Sequence, residues 1–276
     1  MTSASFNPHY MLATGDADHE RLDILAEIYD ASSHAFLSDI LCGAVRSVVD
    51  VGCGHGGMVR RFSRMLEPGT DVVGLDCCSQ QIAFCEASRV HPEPVRLEFW
   101  HADIAQSRLW RRTFDLVYGR LVLLHIADWQ TSLTNIRSLC RLGGHIVLEE
   151  PAFPFFTYPE SARLQRANDL GVKLAAMRQL RFDCAPHLWS RLQTLGLEVH
   201  DVRFYQPALV TERQKMLLYH SFIQIREPLM AAGLAGENEI DDIAREMLVI
   251  ARDSRYIAGG LRMMQVHLRN TGKRNP

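Results

Sequence analysis

The stretch that decides the fold is SVVDVGCGHGGMVRRF, residues 47–62. A valine-rich run, typical of a buried strand, ends near Asp50, and apolar residues at positions 58, 62 and 65 then recur at helical spacing. The connection between strand and helix holds four glycines, Gly52, Gly54, Gly56 and Gly57. Glycine at this density costs backbone entropy and marks a place where the backbone closely approaches something else. A strand, a glycine-rich loop and a helix N-terminus together predict a site for a nucleotide-like ligand.

Strand-like and helix-like segments alternate along the chain from about Arg46. Six further strand patterns follow the first, at residues 71–76, 95–103, 114–121, 145–150, 197–205 and 262–269. Helical patterns lie between several of them, at residues 79–90, 128–142 and 184–196. This alternation predicts an α/β fold: a doubly wound, Rossmann-like, seven-stranded and mostly parallel sheet with helical lid insertions.

Three segments stand outside the alternation. Residues 1–45 contain a helical pattern and are predicted to form an N-terminal helical lid on a catalytic domain of residues 46–276. Helical insertions are predicted at about 152–183 and 207–260. All three connect at strand ends, where ligands bind in an open parallel sheet. The last insertion could cover the site or form an oligomer interface, so a homodimer is an expected assembly.

Composition narrows the class of protein. The 276 residues are 47% hydrophobic and 22% charged, with a net charge of -2, which is ordinary for a globular protein. We expect no nucleic-acid partner, because there is no basic excess. We expect no membrane partner, because no apolar run reaches about 20 residues. The first residues lack a signal-peptide pattern, so a cytoplasmic location is expected. The seven cysteines form no Cys-x-x-Cys pair, and no metal site is predicted.

Two ligand classes use a glycine loop of this kind. The spacing Gly52-x-Gly54-x-x-Gly57, with Asp76 about 20 residues further on, satisfies the dinucleotide fingerprint. That pattern is typical of a NAD-dependent oxidoreductase, which remains one alternative. The other interpretation begins at Asp50 and uses Gly52, Gly54 and Gly56.

The second interpretation rests on a resemblance. VVDVGCGHGG resembles the first motif of the class I S-adenosylmethionine-dependent methyltransferases, and VVGLD, HADI, FDLVYGRLVLLHIADW and CRLGGHIVLEE resemble the motifs that follow, in order. The match covers about residues 46–150. FDLVYGRLVLLHIAD is also similar to a small-molecule subgroup, the menaquinone and ubiquinone methyltransferases. The resemblance implies S-adenosylmethionine as cofactor and a small-molecule substrate.

The resemblance also implies a set of cofactor-binding residues. The glycine loop would approach the methionine half, Asp76 would accept hydrogen bonds from both ribose hydroxyls, and Asp103 would meet the adenine amine. The full predicted set is Tyr10, Asp50, Gly52, Cys53, Gly54, Asp76, Cys77, Asp103, Ile104, Gly119 and Arg120.

His125 is the predicted catalytic residue. It follows the fourth strand, at a position where related enzymes often have a histidine near the methyl group. A neutral imidazole there could accept a proton from an O–H or N–H nucleophile. The alternative is a core histidine bonded to backbone. Methyl transfer does not always need a base, since positioning and desolvation lower the barrier too.

The acceptor pocket is predicted at the end of the fifth strand and in the aromatic-rich insertion after it. Glu150, Phe153 and Phe156 are the predicted substrate-binding residues. Aromatic walls with few polar groups are typical of a small-molecule pocket, which favours O-, N- or C-methylation of a natural-product or quinone-like acceptor. A third alternative is a protein that binds S-adenosylmethionine without catalysis.

Overall fold

The structure is a computed structural model that describes five stretches of the chain, residues 18–43, 45–89, 94–106, 112–152 and 154–272. Two predicted site residues, Tyr10 and Phe153, lie outside the described residues. The other predicted site residues all lie within them.

Ten strands form two sheets in the described chain. The strands are β1 (Ser47–Val51), β2 (Asp71–Asp76), β3 (Arg96–His101), β4 (Phe114–Arg120), β5 (Cys140–Ala152), β6 (Phe156–Tyr158), β7 (Leu197–Tyr205), β8 (Ala208–Leu209), β9 (Ile257–Gly259) and β10 (Arg262–Asn270). The main sheet has seven strands in the order β3-β2-β1-β4-β5-β10-β7, and β6, β9 and β8 form a small second sheet. Within the main sheet, β10 is antiparallel to both neighbours and the other pairs are parallel. The predicted fold class is confirmed.

Nine α-helices accompany the sheets in the ranges that the structure describes. They are α1 (His19–Leu41), α2 (Gly57–Met65), α3 (Ser79–Ala87), α4 (Trp129–Leu139), α5 (Ala162–Met177), α6 (Cys184–Leu192), α7 (Glu212–Ile223), α8 (Arg226–Ala231) and α9 (Glu237–Arg252). A short 3₁₀-helix, Leu123–His125, follows β4. Among these described helices, none has the length and apolar character that crossing a bilayer requires.

The central strands are buried on both faces, which explains their continuous apolar runs. In β1, Val48, Val49 and Val51 are fully buried, and β1 pairs in parallel with both β2 and β4. The carboxyl ends of these three strands therefore meet at one edge of the sheet. That edge carries the glycine loop, Asp76 and Arg120.

The strand β5 begins earlier than its sequence pattern indicates. A helix is predicted over 128–142, but α4 ends at Leu139 and β5 already begins at Cys140. Gly143 and Gly144 lie inside this strand, and Gly143 has a φ of 71°. A Cβ on Gly144 would approach Cys140 Sγ to 2.7 Å. The backbone is therefore irregular at the start of β5. The positive φ of Gly143 and the close contact at Gly144 both favour glycine.

The segments outside the alternating core pack together. Residues from α1, α5, α7 and α9 share one apolar cluster, which includes Ile24, Leu170, Leu217 and Ile240, all fully buried. This cluster is separate from the two that flank the main sheet. The N-terminal helix and the two insertions thus build a second core.

Candidate functional site

A cavity of about 760 Å³ opens at the carboxyl edge of β1, β2 and β4. We call it the large cavity. Most of the predicted cofactor residues line it, together with the predicted catalytic residue: Asp50, Gly52, Cys53, Gly54, Asp76, Cys77, Asp103, Ile104, Arg120 and His125. Residues from four separate parts of the sequence are therefore brought to one site, as the order of their strands predicts.

The glycine loop forms the floor of the large cavity. Gly52, Gly54 and Gly56 have φ values of 69°, 54° and 80°, a left-handed conformation that favours glycine. The amide N–H groups of Gly52 and Cys53 both donate to the Leu75 carbonyl, at 2.7 and 3.0 Å. The loop is thereby tied to β2.

Asp76 ends β2 and holds the loops on either side of it. Its Oδ2 accepts from the Gly54 amide at 2.9 Å and its Oδ1 from the Cys78 amide at 2.8 Å. Burial raises the pKa of Asp76 above its usual value, and these backbone hydrogen bonds oppose that shift. Each carboxylate oxygen has two lone pairs, so both can still accept a further hydrogen bond from a ligand.

Asp103 follows β3 and lines the large cavity. Its Oδ1 accepts from the Ala105 amide at 2.8 Å, which fixes the carboxylate in a turn. The carbonyl of the next residue, Ile104, accepts from Asn135 Nδ2 at 2.8 Å. The loop that carries the predicted adenine contacts is therefore held from α4.

A buried polar network lies behind the glycine loop. Arg120 donates to Asp30 Oδ1 at 2.9 Å and to Ser33 Oγ at 3.0 Å, both on α1. Ser33 in turn donates to Glu149 at 2.9 Å. Burial raises the pKa of Asp50 to about 8, while the neighbouring Arg120 lowers it. Arg120 therefore compensates the charge of several acidic side chains. It also lines the large cavity, where it was predicted to bind the cofactor.

His125 ends the 3₁₀-helix after β4 and borders two cavities. The second, which we call the small cavity, has a volume of about 100 Å³ and mostly apolar walls. Burial lowers the pKa of His125 to about 3, with a smaller contribution from the Arg21 charge. The imidazole is thus neutral near pH 7, and it is a far weaker base than a free histidine.

A family model described as a methyltransferase domain matches residues 48–144. Over this range, about a third of the chain, the sequence is similar to a methyltransferase domain. The matched range contains the glycine loop, Asp76, Asp103 and His125. The predicted cofactor, S-adenosylmethionine, is confirmed at the level of this domain.

Curated relatives resemble parts of the chain. It is similar to a fatty-acid O-methyltransferase of Mycolicibacterium smegmatis, with 28% identity over 60% of this chain and 57% of that protein. It is also similar to phosphoethanolamine N-methyltransferase 1 of Triticum aestivum, with 27% identity over 42% of this chain and 22% of that protein. An uncharacterized 37.1 kDa protein in transposon TN4556 of Streptomyces fradiae is 26% identical, and the alignment covers 40% of it. The chain spans about half the length, or less, of these relatives.

Solved structures share the fold of the chain. The YcgJ protein of Bacillus subtilis has a TM-score of 0.60 at 14% identity, over 90% of this chain and 100% of that one. A second structure is phosphoethanolamine N-methyltransferase 2 of Haemonchus contortus, in complex with phosphomonomethylethanolamine and S-adenosylhomocysteine. Its TM-score is 0.51 at 15% identity, and the alignment covers 91% of this chain and 57% of that one. At these identities the likeness concerns the fold alone.

Three of the predicted site residues that the structure describes line neither cavity. Gly119 is buried within β4, where it pairs with Val51. Phe156 lies in β6 with its ring over Gly259, whose Cβ, if it had one, would come within 2.1 Å of that ring. The preceding Phe155 lines the small cavity instead, because neighbouring side chains of an extended segment point to opposite sides.

Glu150 is the third of these residues, and it is fully buried. Its Oε1 accepts from the amides of Val122 and Leu123, at 3.0 and 2.8 Å. Burial raises the pKa of Glu150 to about 7, and the backbone hydrogen bonds oppose that shift. Glu150 therefore caps the 3₁₀-helix that ends at His125, and it does not face the substrate space.

Sequence reasoning missed a charged pair at the start of α1. Arg21 donates to both oxygens of Asp18, at 2.6 and 2.9 Å, and both residues are nearly inaccessible to solvent. Gln224, from the second insertion, donates to Asp18 at 2.7 Å. Asp18 and Arg21 line the large cavity, and Arg21 also lines the small one. The helical pattern around Glu20-Arg21-Leu22 was visible in the sequence, but its burial depends on contacts 200 residues away.

The buried His125 gives a prediction for acid stability. A folded-state pKa of about 3 lies below the ordinary value of about 6.5. The unfolded state therefore binds the proton more readily, and stability falls as the pH decreases from about 6.5 towards 3. His125→Gln should reduce this slope, as measured by urea unfolding at about pH 7 and about pH 5. The exposed His34 is the control position, and His34→Gln should leave the slope unchanged. Equal slopes in wild type and His125→Gln would contradict the prediction.

Proposed function

We propose that this protein transfers a methyl group from S-adenosylmethionine to a small-molecule acceptor with an apolar body. The observation that carries the proposal is that the two cavities meet. Arg21, Leu25, Leu121 and His125 line both. A chamber of nucleotide size, lined by both polar and apolar residues, and a smaller, mostly apolar chamber therefore share one boundary, where a methyl group could pass from one ligand to the other.

The residues of the large cavity fit the cofactor. When bound, S-adenosylmethionine supplies a methyl group on a positively charged sulfur, which is strongly electrophilic. The glycine loop offers backbone without side chains, and a Cβ at Gly52 would collide with Val122 at 2.7 Å. Asp76 would accept the ribose hydroxyls and Asp103 the adenine amine. Asp50, buried near the end of β1, lies beside the glycine loop and would meet the amino group of the methionine half through water.

The small cavity supports an apolar acceptor. Its walls come from four helices, α1, α5, α7 and α9, and from segments next to β4, β5 and β10. The apolar members are Leu25, Leu121, Leu124, Phe155, Leu164, Ala167, Phe182, Leu218, Phe222, Ile225, Met247 and Leu261. The relative named for fatty-acid O-methylation acts on an apolar molecule, whereas the relatives named for phosphoethanolamine act on a polar one. The wall composition favours the first kind. A quinone-like acceptor, the likeness to the menaquinone and ubiquinone subgroup and a homodimer stay predictions.

Methyl transfer is favoured over both alternatives. The family match at residues 48–144 supports S-adenosylmethionine rather than NAD as the ligand of the glycine loop. A binding protein without catalysis would need only the large cavity. The second chamber beside it, with His125 and Arg21 at the boundary, supports a second substrate.

The first turns of α1 support the predicted lid. Leu22 Cδ1 lies 3.6 Å from where a Cβ of Gly54 would be, and Asp23 contacts His55 Nε2 at 3.3 Å. Both contacts join α1 to the glycine loop across the large cavity. The second half of the helix is anchored differently, because Phe36 and Leu37 are buried against the main sheet. We infer that closure and opening involve the first half of α1, before Asp30.

Asp76→Ala should weaken cofactor binding by about 2–3 kcal/mol, since it removes charge-assisted hydrogen bonds worth about 1.5–3 kcal/mol each, with partial compensation by water. Calorimetric titration with S-adenosylhomocysteine measures the effect. Asp71→Ala is a matched control: Asp71 begins the same strand, away from the large cavity, and pairs with Arg96 and Arg112. Unchanged affinity in Asp76→Ala would refute the ribose assignment.

The function itself is tested in two steps. Calorimetric titration should detect S-adenosylmethionine and S-adenosylhomocysteine and give little or no heat with NAD. A screen with methyl-labelled cofactor over small phenols, amines, carbon acids and carboxylic acids should then give a labelled product. Tight NAD binding without S-adenosylhomocysteine binding would overturn the proposal. Cofactor binding without any labelled product across all four classes would favour the non-catalytic alternative.

A further inference from the structure

We propose that Gly171 determines which acceptor the small cavity admits, and that this acceptor is a compact compound built on a single aromatic ring. The ring would lie against the bare backbone of α5, in the space that a side chain at position 171 would take. This inference rests on the proposed function of methyl transfer. It adds a specificity-determining residue and a substrate class to that function.

Gly171 lies inside a helix, where glycine is unfavourable. The helix α5 runs from Ala162 to Met177, so Gly171 lies more than one turn from either end and caps neither of them. Its φ is not positive, so no left-handed conformation requires a glycine at this position. Glycine in a helix interior destabilises the folded protein relative to alanine, because it loses more conformational entropy on folding. The backbone of α5 therefore gives no reason for this glycine.

The packing of the protein gives no reason for it either. A Cβ at position 171 would lie 3.6 Å from its nearest neighbour, Phe182 Cε2, and 4.0 Å from Ile225 Cδ1. These are ordinary van der Waals distances, so an alanine would fit. Gly259 is different, because its Cβ would come within 2.1 Å of the Phe156 ring. Packing requires the glycine at 259, whereas at 171 the protein alone would accept alanine.

The missing side chain instead leaves space in the small cavity. Gly171 lines this cavity, and so do Phe182 and Ile225, the two residues that its Cβ would contact. A methyl group at position 171 would therefore occupy part of a chamber whose volume is only about 100 Å³. A glycine that packing does not require, in the wall of a cavity, allows a ligand to approach the backbone closely.

The walls of the small cavity favour an aromatic ring. Phe155, Phe182 and Phe222 all line it, and aromatic rings gain from offset or edge-to-face contacts beyond the area that they bury. A rigid ring also loses fewer rotatable bonds on binding than a flexible chain does. The wall composition and the cost of ordering therefore both favour a ring over a chain.

The volume of the small cavity limits the acceptor to one ring. About 100 Å³ is less than the engineered cavity of about 150 Å³ that holds benzene. One small ring therefore fills the chamber, and a second ring would have to extend out of it. In so small a chamber, the methyl group that position 171 lacks makes a large difference to what can bind.

Gly171→Ala should change stability and acceptor binding in opposite directions. The melting temperature should rise by about 2–4 °C, because alanine is the better helix former and meets no clash. The affinity for a ring in the small cavity should fall by about tenfold or more, which is the usual effect of one methyl group in an apolar pocket. A glycine that serves only the packing of α5 would give a lower melting temperature.

The binding experiment uses two probes with six carbons and one hydroxyl group each. With S-adenosylhomocysteine bound, the wild-type protein is titrated calorimetrically with phenol and with hexan-1-ol. We expect phenol to bind more tightly than hexan-1-ol, because only phenol is a rigid aromatic ring. In Gly171→Ala, phenol should bind about tenfold or more weakly, and the dissociation constant of S-adenosylhomocysteine should stay unchanged, because Gly171 does not line the large cavity.

The matched control is the next residue on the same helix. Val172 is 47% exposed and lines neither described cavity. Val172→Ala also introduces a better helix former, so it should stabilise α5 without adding a methyl group to the chamber. Phenol should bind to this variant as it does to the wild type. The control thus separates loss of space in the small cavity from stiffening of the helix.

The outcomes separate this inference from the function on which it rests. If S-adenosylhomocysteine does not bind to the wild type, the proposed function fails. If it binds but phenol does not, or if hexan-1-ol binds at least as tightly as phenol, the aromatic acceptor is overturned and methyl transfer to another acceptor remains. A Gly171→Ala variant that binds phenol like the wild type, or that melts at a lower temperature, overturns the role of Gly171.

Discussion

Gly52→Val is expected to raise the dissociation constant for S-adenosylhomocysteine by roughly a hundredfold to a thousandfold. Gly52 has a φ of 69°, which costs an L residue about 1–2 kcal/mol. Its Cβ would come within 2.7 Å of Val122 Cγ2, and such overpacking costs about 1–3 kcal/mol. The strain can be relieved only by displacing the loop from Leu75, to which it is hydrogen-bonded.

The control for this prediction is a glycine with the same strain away from the large cavity. Gly69 has a φ of 80° and lies in the turn before β2, with only Arg96 Nη1 near the position of its Cβ, at 3.8 Å. Gly69→Val should lower the melting temperature but leave cofactor affinity intact. If both variants bind S-adenosylhomocysteine like the wild type, the glycine loop does not contact the cofactor.

Arg120→Met is expected to lower the free energy of unfolding by about 3–5 kcal/mol, the cost of removing one partner from a buried ion pair. Both Arg120 and Asp30 are 13% exposed. Asp50 and Glu149 also lie within the electrostatic reach of this arginine. Its removal leaves several buried acids with less compensation, and the network between α1 and the main sheet loses its centre. Urea unfolding at about pH 7 measures the loss.

Arg61 provides the comparison, because it pairs with the other oxygen of Asp30 at 2.9 Å but is 36% exposed. Arg61→Met should cost no more than about 1 kcal/mol, as exposed ion pairs do. The predicted role of Arg120 in cofactor binding leads to a different result. In that case Arg120→Met would keep most of its stability and lose affinity for S-adenosylhomocysteine.

The sheet and the cofactor half of the site were predictable from local signals. Valine-rich runs give the buried strands, and the glycines mark the loop after β1. Parallel strands bring their carboxyl ends to one edge, so Asp76 and Asp103 had to lie near that loop once the alternation was recognised. Their contacts with Gly54 and Ala105 follow from the same geometry.

The acceptor half was less predictable, because it depends on which way side chains point. Glu149 and Glu150 lie near the end of β5, yet neither lines a described cavity. Glu150 instead caps the 3₁₀-helix that ends at His125. Phe155 and Phe156 differ by one position, and only Phe155 borders the small cavity. A shift of one residue reverses the face of an extended segment, and the sequence pattern does not fix this choice.

The Arg21–Asp18 pair was hidden for a different reason. Charged residues at the start of a helix are usually solvated, and burial of this pair needs Gln224 and the second insertion to pack against α1. The depressed pKa of His125 has the same origin, since it comes from burial among segments distant in sequence. Burial by segments that are distant in sequence does not appear in the hydrophobic periodicity of the local sequence.

One helical turn belongs to the walls of both chambers. Leu22 lies over the glycine loop, and Arg21 and Leu25, on either side of it, face the small cavity. A movement that opens one chamber therefore opens the other. We expect the two products to share an exit, with residence times that rise and fall together when the contact between Asp23 and His55 is weakened or strengthened.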